Sequence, residues 1–472
     1  MQESGPLRQA VTSAGEPATP TAEARVGHPT FSEALWVWTK VGLNSFGGPA
    51  GQIAVMHRML VEERRWVSES RFLHALNYCM LLPGPEAQQL AVYIGWLLHR
   101  TLGGLAAGVL FVLPGALTML LLSVLYASAQ DVTVVEALFF GLKPAILAVV
   151  IEAVFRIGRR AFHNRALVGL AAAAFIAIFF FRVPFPAVVL AAAAIGLVGT
   201  RIAPWVFLRP TKPTPEGDAV GDTILEAETS AHLAPSLPRA LRVTAACLAL
   251  WFVPVVLLGV TLGKDHVFVQ EGFFFSKTAV VSFGGAYAVL AYMAQRAVET
   301  YRWLAPGEML DGLAMAETTP GPLIMVVQFV GFMGAYRDPG ALPPLLAGVV
   351  GAAITTWVTF VPCFLWIFLG APDIERLRGK PALNGALTAI TASVVGVILN
   401  LSVWFGLHTL FNVVERVDVG PLSLLRPVWS TANPPSFLLA VAAAVALVRF
   451  RVGMIPTLLG CALLGLVYRL MT

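Results

Sequence analysis

The feature that most constrains this chain is a long internal duplication. Residues 40–48 are KVGLNSFGG and residues 277–285 are KTAVVSFGG, and a Pro-Gly-Pro sequence follows each of them, at 83–85 and 320–322. The two copies align without a gap at a constant offset of 237 residues, from Lys40 to Lys277. A duplication of this length predicts a fold built from two homologous halves.

The composition places both halves in a membrane. Of the 472 residues, 57% are hydrophobic and only 12% are charged, and the mean hydropathy is +0.76. A soluble protein usually has about 25% charged residues, so this chain lacks the polar surface that water requires. Apolar runs of about 20 residues, long enough to cross a bilayer, recur along the chain.

The basic residues and the cysteines argue against other classes of protein. The net charge of +5 comes largely from arginines between the apolar runs, which is typical of topology determinants and not of a nucleic-acid surface. The four cysteines, Cys79, Cys247, Cys363 and Cys461, form no CxxC pair. We therefore expect no nucleic-acid partner, no metal site, no disulfide scaffold and no cofactor.

Changes in composition divide the chain into five segments. Residues 1–30 are polar and lack the apolar core of a signal peptide, which predicts a disordered cytoplasmic tail. The first repeat covers 31–200, a polar linker covers 201–240, an extra transmembrane helix covers 241–264, and the second repeat covers 265–472.

Each repeat contains two interruptions of its apolar runs. In the first repeat, Lys40, Asn44 and a Gly-Gly-Pro sequence interrupt residues 31–60, and a Pro-Gly-Pro sequence cuts residues 72–98. Backbone that is broken at membrane depth is tolerated only where it is buried in protein or lines a polar cavity. We therefore predict broken or re-entrant helices at both places in each repeat.

The extra helix predicts that the two halves are inverted relative to each other. If the N-terminus and the linker are both cytoplasmic, the first half crosses the membrane an even number of times, and one further crossing starts the second half outside. The charges agree, because inverted halves should carry Lys and Arg in opposite loops. The loop at 128–136 has no Lys or Arg and its counterpart at 371–380 has three, whereas the loop at 156–165 has four arginines and its counterpart after residue 405 is sparse. The expected fold is an all-α polytopic membrane protein with two homologous halves in inverted (antiparallel) topology and helices broken at the Gly-Gly and Pro-Gly-Pro motifs.

The breaks predict a binding site for an anion. Inverted repeats with discontinuous helices are the architecture of secondary transporters, whose substrate sites lie between the repeats. A helix that starts after a Pro-Gly-Pro break presents unpaired N–H groups and the positive end of its dipole, which suit a small oxyanion better than a cation or an apolar solute. Serine hydroxyls, lysines and glutamine amides near the breaks add donors. The candidate substrate-binding residues are Lys40, Ser45, Gly47, Gly48, Pro83, Gly84, Pro85, Gln88, Gln89, Lys277, Ser282, Gly284, Gly285, Pro320, Gly321 and Pro322.

Several of these residues also have a purely structural interpretation. The glycines could serve close helix packing alone. Lys40 and Lys277 could extend to the membrane interface, and Gln88 and Gln89 could bond between helices. Because the breaks are duplicated, a binding role is favoured over packing alone for the glycines.

Two carboxylates are candidates for proton coupling. Glu86 and Glu317 flank the two Pro-Gly-Pro breaks, and an acidic residue within a membrane segment is a functional hypothesis by default. Beside an anion site, such a carboxylate repels the substrate unless it is protonated. Glu86 could alternatively serve only to complement the helix dipole.

The motifs of the first half resemble those of the chromate ion transporter family in its two-domain form. The resemblance rests on Phe46-Gly47-Gly48-Pro49, on the region from Glu62 to Trp66, on Pro83-Gly84-Pro85-Glu86-Ala87-Gln88-Gln89 and on Leu113-Pro114-Gly115. It implies a protein of the bacterial inner membrane with antiparallel halves, which exports chromate from the cytoplasm and confers chromate resistance. The second half departs from the pattern: Ala286 replaces Pro49, Leu323 replaces Glu86, and Met325-Val326 replace Gln88-Gln89.

Two other classes of protein fit less well. A membrane enzyme would need clustered carboxylates or a nucleophile–base pair, and the apolar segments contain no such motif. An anion channel fits the apolar segments but does not explain broken helices in inverted halves. The sequence leaves open whether the oxyanion is chromate or a sulfate-like dianion and whether the chain forms a homodimer. Membrane lipids are its other expected partners.

Overall fold

The computed structural model describes residues 28–46, 48–129, 132–208, 236–283, 286–373 and 380–471. The predicted tail, up to residue 27, and most of the predicted linker, residues 209–235, lie outside the described residues. Gly47, Gly284 and Gly285 also lie outside them.

Among the described residues, eight helices form the first repeat and the start of the linker. In chain order they are α1 (Phe31–Asn44), α2 (Gly48–His57), α3 (Glu69–Cys79), α4 (Glu86–Ala129), α5 (Thr133–Ala161), α6 (Arg165–Phe179), α7 (Phe185–Ile202) and the short α8 (Pro204–Phe207). A π-helical turn, Arg58–Glu63, extends α2. α4 bends at His99 and Arg100, whose backbone angles are not helical, so it consists of two segments.

Both breaks predicted in the first repeat are present. α1 ends at Asn44 and α2 starts at Gly48, whose φ of +71° is rarely adopted by a residue with a side chain. α3 ends at Cys79, and α4 starts at Glu86 directly after the Pro-Gly-Pro sequence. Proline stops the preceding helix because it has no N–H to donate, yet it is tolerated where the next helix begins.

The extra helix, α9 (Leu237–Leu262), lies at the edge of the fold. It starts four residues before the predicted boundary and packs along α10 and α14 of the second repeat. Trp251 and Val255 are its buried residues, and most of its other side chains are exposed. An apolar helix with this pattern presents most of its surface to lipid.

The second repeat contains the same series of helices. They are α10 (Val267–Val281), α11 (Ala286–Gln295) with a π-helical turn at Arg296–Thr300, α12 (Glu308–Thr318), α13 (Val326–Arg337), α14 (Pro344–Gly370), α15 (Pro381–Leu410), α16 (Pro434–Val448) and α17 (Met454–Met471). The helices α1 to α3 correspond to α10 to α12, the two segments of α4 to α13 and α14, and α5 to α7 to α15 to α17.

Unusual backbone geometry is duplicated together with the helices. Arg65 and Arg302, which follow the two π-helical turns at equivalent positions, have φ of +51° and +56°. Arg182 and Arg451, at the ends of the similar sequences after α6 and α16, have φ of +54° and +53°. A positive φ is uncommon for arginine, so its recurrence at paired positions supports a common origin of the two halves.

Helices of each repeat pack against helices of the other repeat. α5 of the first repeat packs on α16 and α17 of the second, and α15 of the second packs on α6 and α7 of the first. Glycines permit both approaches: a Cβ on Gly465 would lie 2.5 Å from Gly141 Cα, and a Cβ on Gly196 would lie 2.3 Å from Gly385 O. Reciprocal contacts of this kind are what a two-fold relation between equivalent units produces.

A β-hairpin interrupts the helical pattern between α15 and α16. β1 (Val414–Val419) pairs antiparallel with β2 (Leu422–Pro427). Gly420 has φ +60° and is followed by Pro421, so the two-residue turn begins at a position that requires glycine. The alternating, valine- and leucine-rich sequence on both sides favours strands, although the sequence analysis did not predict them.

Two predicted loops are shorter than expected because the helices continue into them. α5 runs to Ala161, so Arg156, Arg159 and Arg160 lie in its last turns. α15 runs to Leu410, five residues past the predicted end of its apolar run. Basic residues are favourable at a helix C-terminus, which explains why α5 does not stop where its apolar sequence does. Residues 374–379, with two of the three basic residues expected at 371–380, lie outside the described residues.

Seven of the described helices are long and apolar enough to cross a membrane. They are α4, α5, α7, α9, α14, α15 and α17. Together with the helical architecture, this makes the chain a multi-pass membrane protein, as the composition predicts.

Candidate functional site

The four breaks meet in two reciprocal contacts between the repeats. The N–H of Gly84 donates to the carbonyl of Ser282 at 2.9 Å, and the N–H of Gly321 donates to the carbonyl of Ser45 at 2.8 Å. The two hydrogen bonds are equivalent under the 237-residue offset. Each Pro-Gly-Pro break therefore contacts the Gly-Gly break of the other repeat.

The Pro-Gly-Pro breaks require glycine for two reasons. Gly84 and Gly321 have φ of +118° and +91°, which other residues rarely adopt. Space is also lacking, because a Cβ on Gly84 would lie 2.9 Å from Gln89 Nε2 and 3.0 Å from Cys363 Sγ. A Cβ on Gly321 would lie 3.1 Å from Gly115 Cα. The breaks are thus closely packed as well as conformationally special.

Glutamine amides hold the carbonyl groups of both breaks. Gln52 Nε2 donates to the carbonyl of Gly321 at 2.6 Å, across the repeat boundary. Gln89 Nε2 donates to the carbonyl of Pro83 at 2.7 Å. The NH₂ group of Gln89 is therefore engaged within the first break.

Gln88 provides an unsatisfied polar group at the first break. It lies in the first turn of α4, is fully buried, and has no hydrogen-bond partner for either amide atom among the described residues. A buried polar group without a partner costs about 1–3 kcal/mol, and natural proteins rarely carry one without reason. Beside it, the first N–H groups of α4 have no partner within the helix. This combination of donors can bind an oxyanion.

The predicted serines contact the breaks through their backbone carbonyls and not their side chains, and the predicted lysines lie outside the reciprocal contacts. The hydroxyl of Ser45 donates to Val41 O at 2.6 Å within its own helix, so its carbonyl is the group that contacts the second break. Ser282 is likewise buried and contributes its carbonyl to the first break. Lys40 lies over the ring of Trp36, 4.8 Å from the centroid, and Lys277 is exposed on α10. The structure brings neither lysine into the reciprocal contacts.

The two predicted carboxylates differ in burial and in bonding. Glu86 is half-buried at the start of α4, directly after Pro85. Glu317 is buried three residues before Pro320, and its Oε1 accepts a hydrogen bond from the hydroxyl of Tyr287 at 2.5 Å. Its Oε2 has no partner in the described part of the chain. Both carboxylates therefore lie next to a Pro-Gly-Pro break.

Sequence analysis missed a second set of charged groups inside the fold. Asp311 is buried and contacts Lys143 Nζ at 3.3 Å and the hydroxyl of Tyr126 at 2.9 Å. Glu271 is fully buried, and neither of its oxygens has a partner among the described residues. Glu271 could have been found from the sequence, because it is an isolated carboxylate within the apolar sequence of α10. Ionisable residues in membrane segments are rare and are functional candidates.

Comparisons with known proteins agree with the architecture. The sequence profile described as "Chromate transporter" matches residues 32–197 and 269–466, which are the two repeats without the extra helix. No solved structure is significantly similar to this chain.

Three relatives extend over most of the chain. The "Chromate transport protein" of Pseudomonas aeruginosa is 33% identical over 80% of this chain and 82% of its own length. The "Chromate transport protein" of Cupriavidus metallidurans is 25% identical over 93% of both chains. The "Probable chromate transport protein" of Synechococcus elongatus is 26% identical over 90% of this chain and 97% of its own length.

Proposed function

Because this chain belongs to the chromate transporter family, we propose that it is a secondary transporter that exports chromate from the bacterial cytoplasm across the inner membrane and so confers chromate resistance. The relatives are named as transport proteins, which favours a transporter over an enzyme. The observation that carries the proposal is Gln88, a buried amide without a partner among the described residues, in the first turn of α4, whose first N–H groups have no partner within the helix.

Chromate is a tetrahedral dianion, and the first break offers donors of the matching kind. The N–H groups at the start of α4 and the NH₂ group of Gln88 belong to the same helical turn after Pro85, where the positive end of the helix dipole also lies. Gly84 gives this break its backbone conformation, with a φ of +118° that favours glycine. We assign Gln88, Gly84 and Pro85 to the substrate site.

We further propose that the halves are inverted, as in other transporters with broken helices. Two observations support this topology. The hydrogen bonds of Gly84 and Gly321 are reciprocal, as a two-fold relation between the repeats would make them. A single long apolar helix, α9, lies between the repeats and, if it crosses the membrane, would change the side on which the second repeat starts. Rocking of one repeat against the other would then expose the site alternately on the two sides.

Proton coupling is proposed for the carboxylates next to the breaks. When Glu86 is ionised, it competes with the substrate for the N–H groups of α4, and when it is protonated it leaves them to the dianion. Glu317 lies on the other side of its break, three residues before Pro320, where Tyr287 holds one of its oxygens. Uptake of a proton at either residue would favour binding of the anion.

Two alternatives use the same site. Sulfate or another tetrahedral oxyanion would accept the same N–H donors, which discriminate weakly between dianions of similar size. An anion channel would use the same groups without alternating exposure.

Counterflow of labelled chromate into proteoliposomes that contain the purified chain tests the proposal. We expect saturable uptake that is accelerated by chromate inside the vesicles and reduced only partly by equimolar sulfate. Stronger inhibition by sulfate than by unlabelled chromate would make sulfate the substrate. Uptake that neither saturates nor responds to internal chromate would favour the channel.

A further inference from the structure

An ion pair with a buried carboxylate joins the two repeats away from the reciprocal contacts. Lys143 on α5 belongs to the first repeat, and Asp311 on α12 belongs to the second. Lys143 Nζ lies 3.3 Å from Asp311 Oδ2, and the hydroxyl of Tyr126 donates to the same oxygen at 2.9 Å. The pair therefore connects α5, α4 and α12.

The two charged side chains differ in accessibility. The side chain of Asp311 is 3% exposed, whereas that of Lys143 is 32% exposed, although Lys143 lies within a helix that can span the membrane. An ammonium group can donate three hydrogen bonds, and Asp311 Oδ2 accounts for one of them. Lysine exposed in a membrane segment is costly unless it faces a polar pathway, so the accessible side of Lys143 is available to an anion.

The pair also lies on the element that leads to the second break. Asp311 precedes Pro320 by nine residues, a distance of about 13 Å along a helix. This is nearly half the thickness of the hydrocarbon core, so the pair lies towards one surface of the membrane if the break is near the midplane. An anion that approaches the second break along α12 would pass Lys143.

The first repeat lacks this arrangement. The residue equivalent to Asp311 under the 237-residue offset is His74 on α3. The ion pair is therefore not part of the duplicated contacts that join the breaks. An ion pair between a buried carboxylate and a partly exposed lysine contributes little net stability, so a structural role does not by itself explain why it is present.

We propose that Lys143 is a second binding station for the transported oxyanion, and that Asp311 is the resident counter-ion which the oxyanion displaces. Oδ1 of Asp311 has no partner in the described part of the chain, so the carboxylate is held on one side only. The displaced carboxylate keeps the hydrogen bond from Tyr126. This inference rests on the proposed transport of an oxyanion and adds a residue to its route.

Other charges near the pair are already engaged. Arg337 forms a bidentate contact with Glu308 at the start of α12, with distances of 2.7 and 2.5 Å, and it also donates to Trp303 O. The guanidinium is therefore satisfied by its own partners. Lys143 differs from Arg337 because its ammonium contacts a single carboxylate oxygen among the described residues, so displacement of Asp311 would free a donor for the substrate.

Binding of labelled chromate to the purified full-length protein in lipid nanodiscs tests the inference with four proteins. They are the wild type, Lys143→Gln, Asp311→Asn and the double variant. We expect Lys143→Gln to bind about 10- to 100-fold more weakly, because a charge-assisted hydrogen bond is lost. Asp311→Asn should bind more tightly than the wild type, because the counter-ion no longer competes. The double variant should be as weak as Lys143→Gln.

The outcomes separate the inference from a structural role and from the proposed function. Recovery of wild-type affinity in the double variant would show that the pair serves only the fold, and would overturn the inference. Unchanged affinity in Lys143→Gln would overturn it as well, while wild-type binding leaves the proposed function standing. If none of the four proteins binds chromate, the proposed function fails and the inference fails with it. Lys264→Gln, which removes the same charge from the exposed residue between α9 and α10, is the matched control and should bind like the wild type.

Discussion

The two Pro-Gly-Pro breaks both have glycine at a positive φ, but their surroundings differ. At the first break, Pro85 and Glu86 are half-buried. α4 starts directly after Pro85, and the buried amide side chains of Gln88 and Gln89 lie near its start. At the second break, Gly321 and Pro322 are buried, and an apolar 3₁₀ turn, Leu323–Met325, separates the break from α13. The first break thus presents donors and partial access, whereas the second presents a closed apolar surface.

This difference separates the contact between the repeats, which both breaks make, from substrate binding, which we propose for the first break. The reciprocal hydrogen bonds need only backbone N–H and carbonyl groups, so the side chains around each break are free to diverge. In the first repeat they are polar, with Gln88 lacking a partner among the described residues and Glu86 at the start of the helix. In the second repeat, Met325 and Leu323 occupy the same positions. In the proposed function, the breaks are therefore joined symmetrically, and the substrate binds at the first break only.

Thiol labelling from outside the cell tests whether the two halves are inverted, and it should give the largest difference. On a cysteine-free background, we would introduce His163→Cys, between α5 and α6, and Asn412→Cys, between α15 and α16. Both positions are exposed. In intact cells an impermeant thiol reagent should label Asn412→Cys and leave His163→Cys unlabelled, because inverted halves place equivalent loops on opposite sides. Both should react after permeabilisation. Labelling of both, or of neither, before permeabilisation would contradict the inversion.

Substitution of the glycines should abolish transport. Gly48→Leu and Gly84→Leu place a side chain on residues with φ of +71° and +118°, which costs at least about 1–2 kcal/mol locally. At Gly84, the leucine would also clash with Gln89 and Cys363 and so disturb the first break. Membrane abundance should be retained, and counterflow should fall to the level of empty vesicles. Chromate binding at wild-type affinity in both variants would mean that these glycines serve packing alone.

A matched pair of substitutions tests the asymmetry between the breaks. Gln88→Leu should weaken chromate binding about 10- to 100-fold, because it removes a donor to a charged ligand. Met325→Leu, at the equivalent position of the second repeat, conserves volume and should leave binding unchanged. Both affinities can be measured by equilibrium dialysis in nanodiscs. Equal losses in the two variants would show that both breaks bind substrate.

The smallest expected effect concerns the pH profile of transport. Glu86→Gln cannot take up a proton, so it should keep chromate binding but lose the pH dependence of efflux and its response to an imposed proton gradient. Transport by the wild type should weaken as the pH rises, because the ionised carboxylate competes with the anion. Glu317→Gln, measured in parallel, assigns any remaining pH dependence to the second break. A wild-type profile in Glu86→Gln would leave this residue as a helix cap.

The framework of the fold was predictable because it depends on signals that are local in sequence. Apolar length identifies the membrane helices, and the Gly-Gly and Pro-Gly-Pro motifs mark the breaks where helix hydrogen bonds cannot continue. The duplication itself indicated that each half repeats one series of elements. Within the described residues, helices end and restart on either side of the predicted breaks, and the helices of the two repeats correspond as these patterns predict.

The partners of individual side chains were not predictable in the same way. Ser45 was expected to use its hydroxyl, but that group bonds within α1 and the carbonyl forms the contact. The contact between Lys143 and Asp311 joins residues that are far apart in sequence and have no counterpart in the other repeat. Neither composition nor periodicity contains such pairings, because they depend on how the repeats pack together.

The reciprocal bonds also set an order for biosynthesis. The acceptor for the N–H of Gly84 is Ser282, which is 198 residues later in the chain. At about 5–20 residues per second, the ribosome needs about 10–40 s to reach it. During that time the first repeat is in the membrane without the partner for its break, and an unpaired backbone group in lipid costs several kcal/mol. The first half therefore cannot complete its own fold, and the newly inserted chain has to remain hydrated or attended by the insertion machinery until the second half arrives.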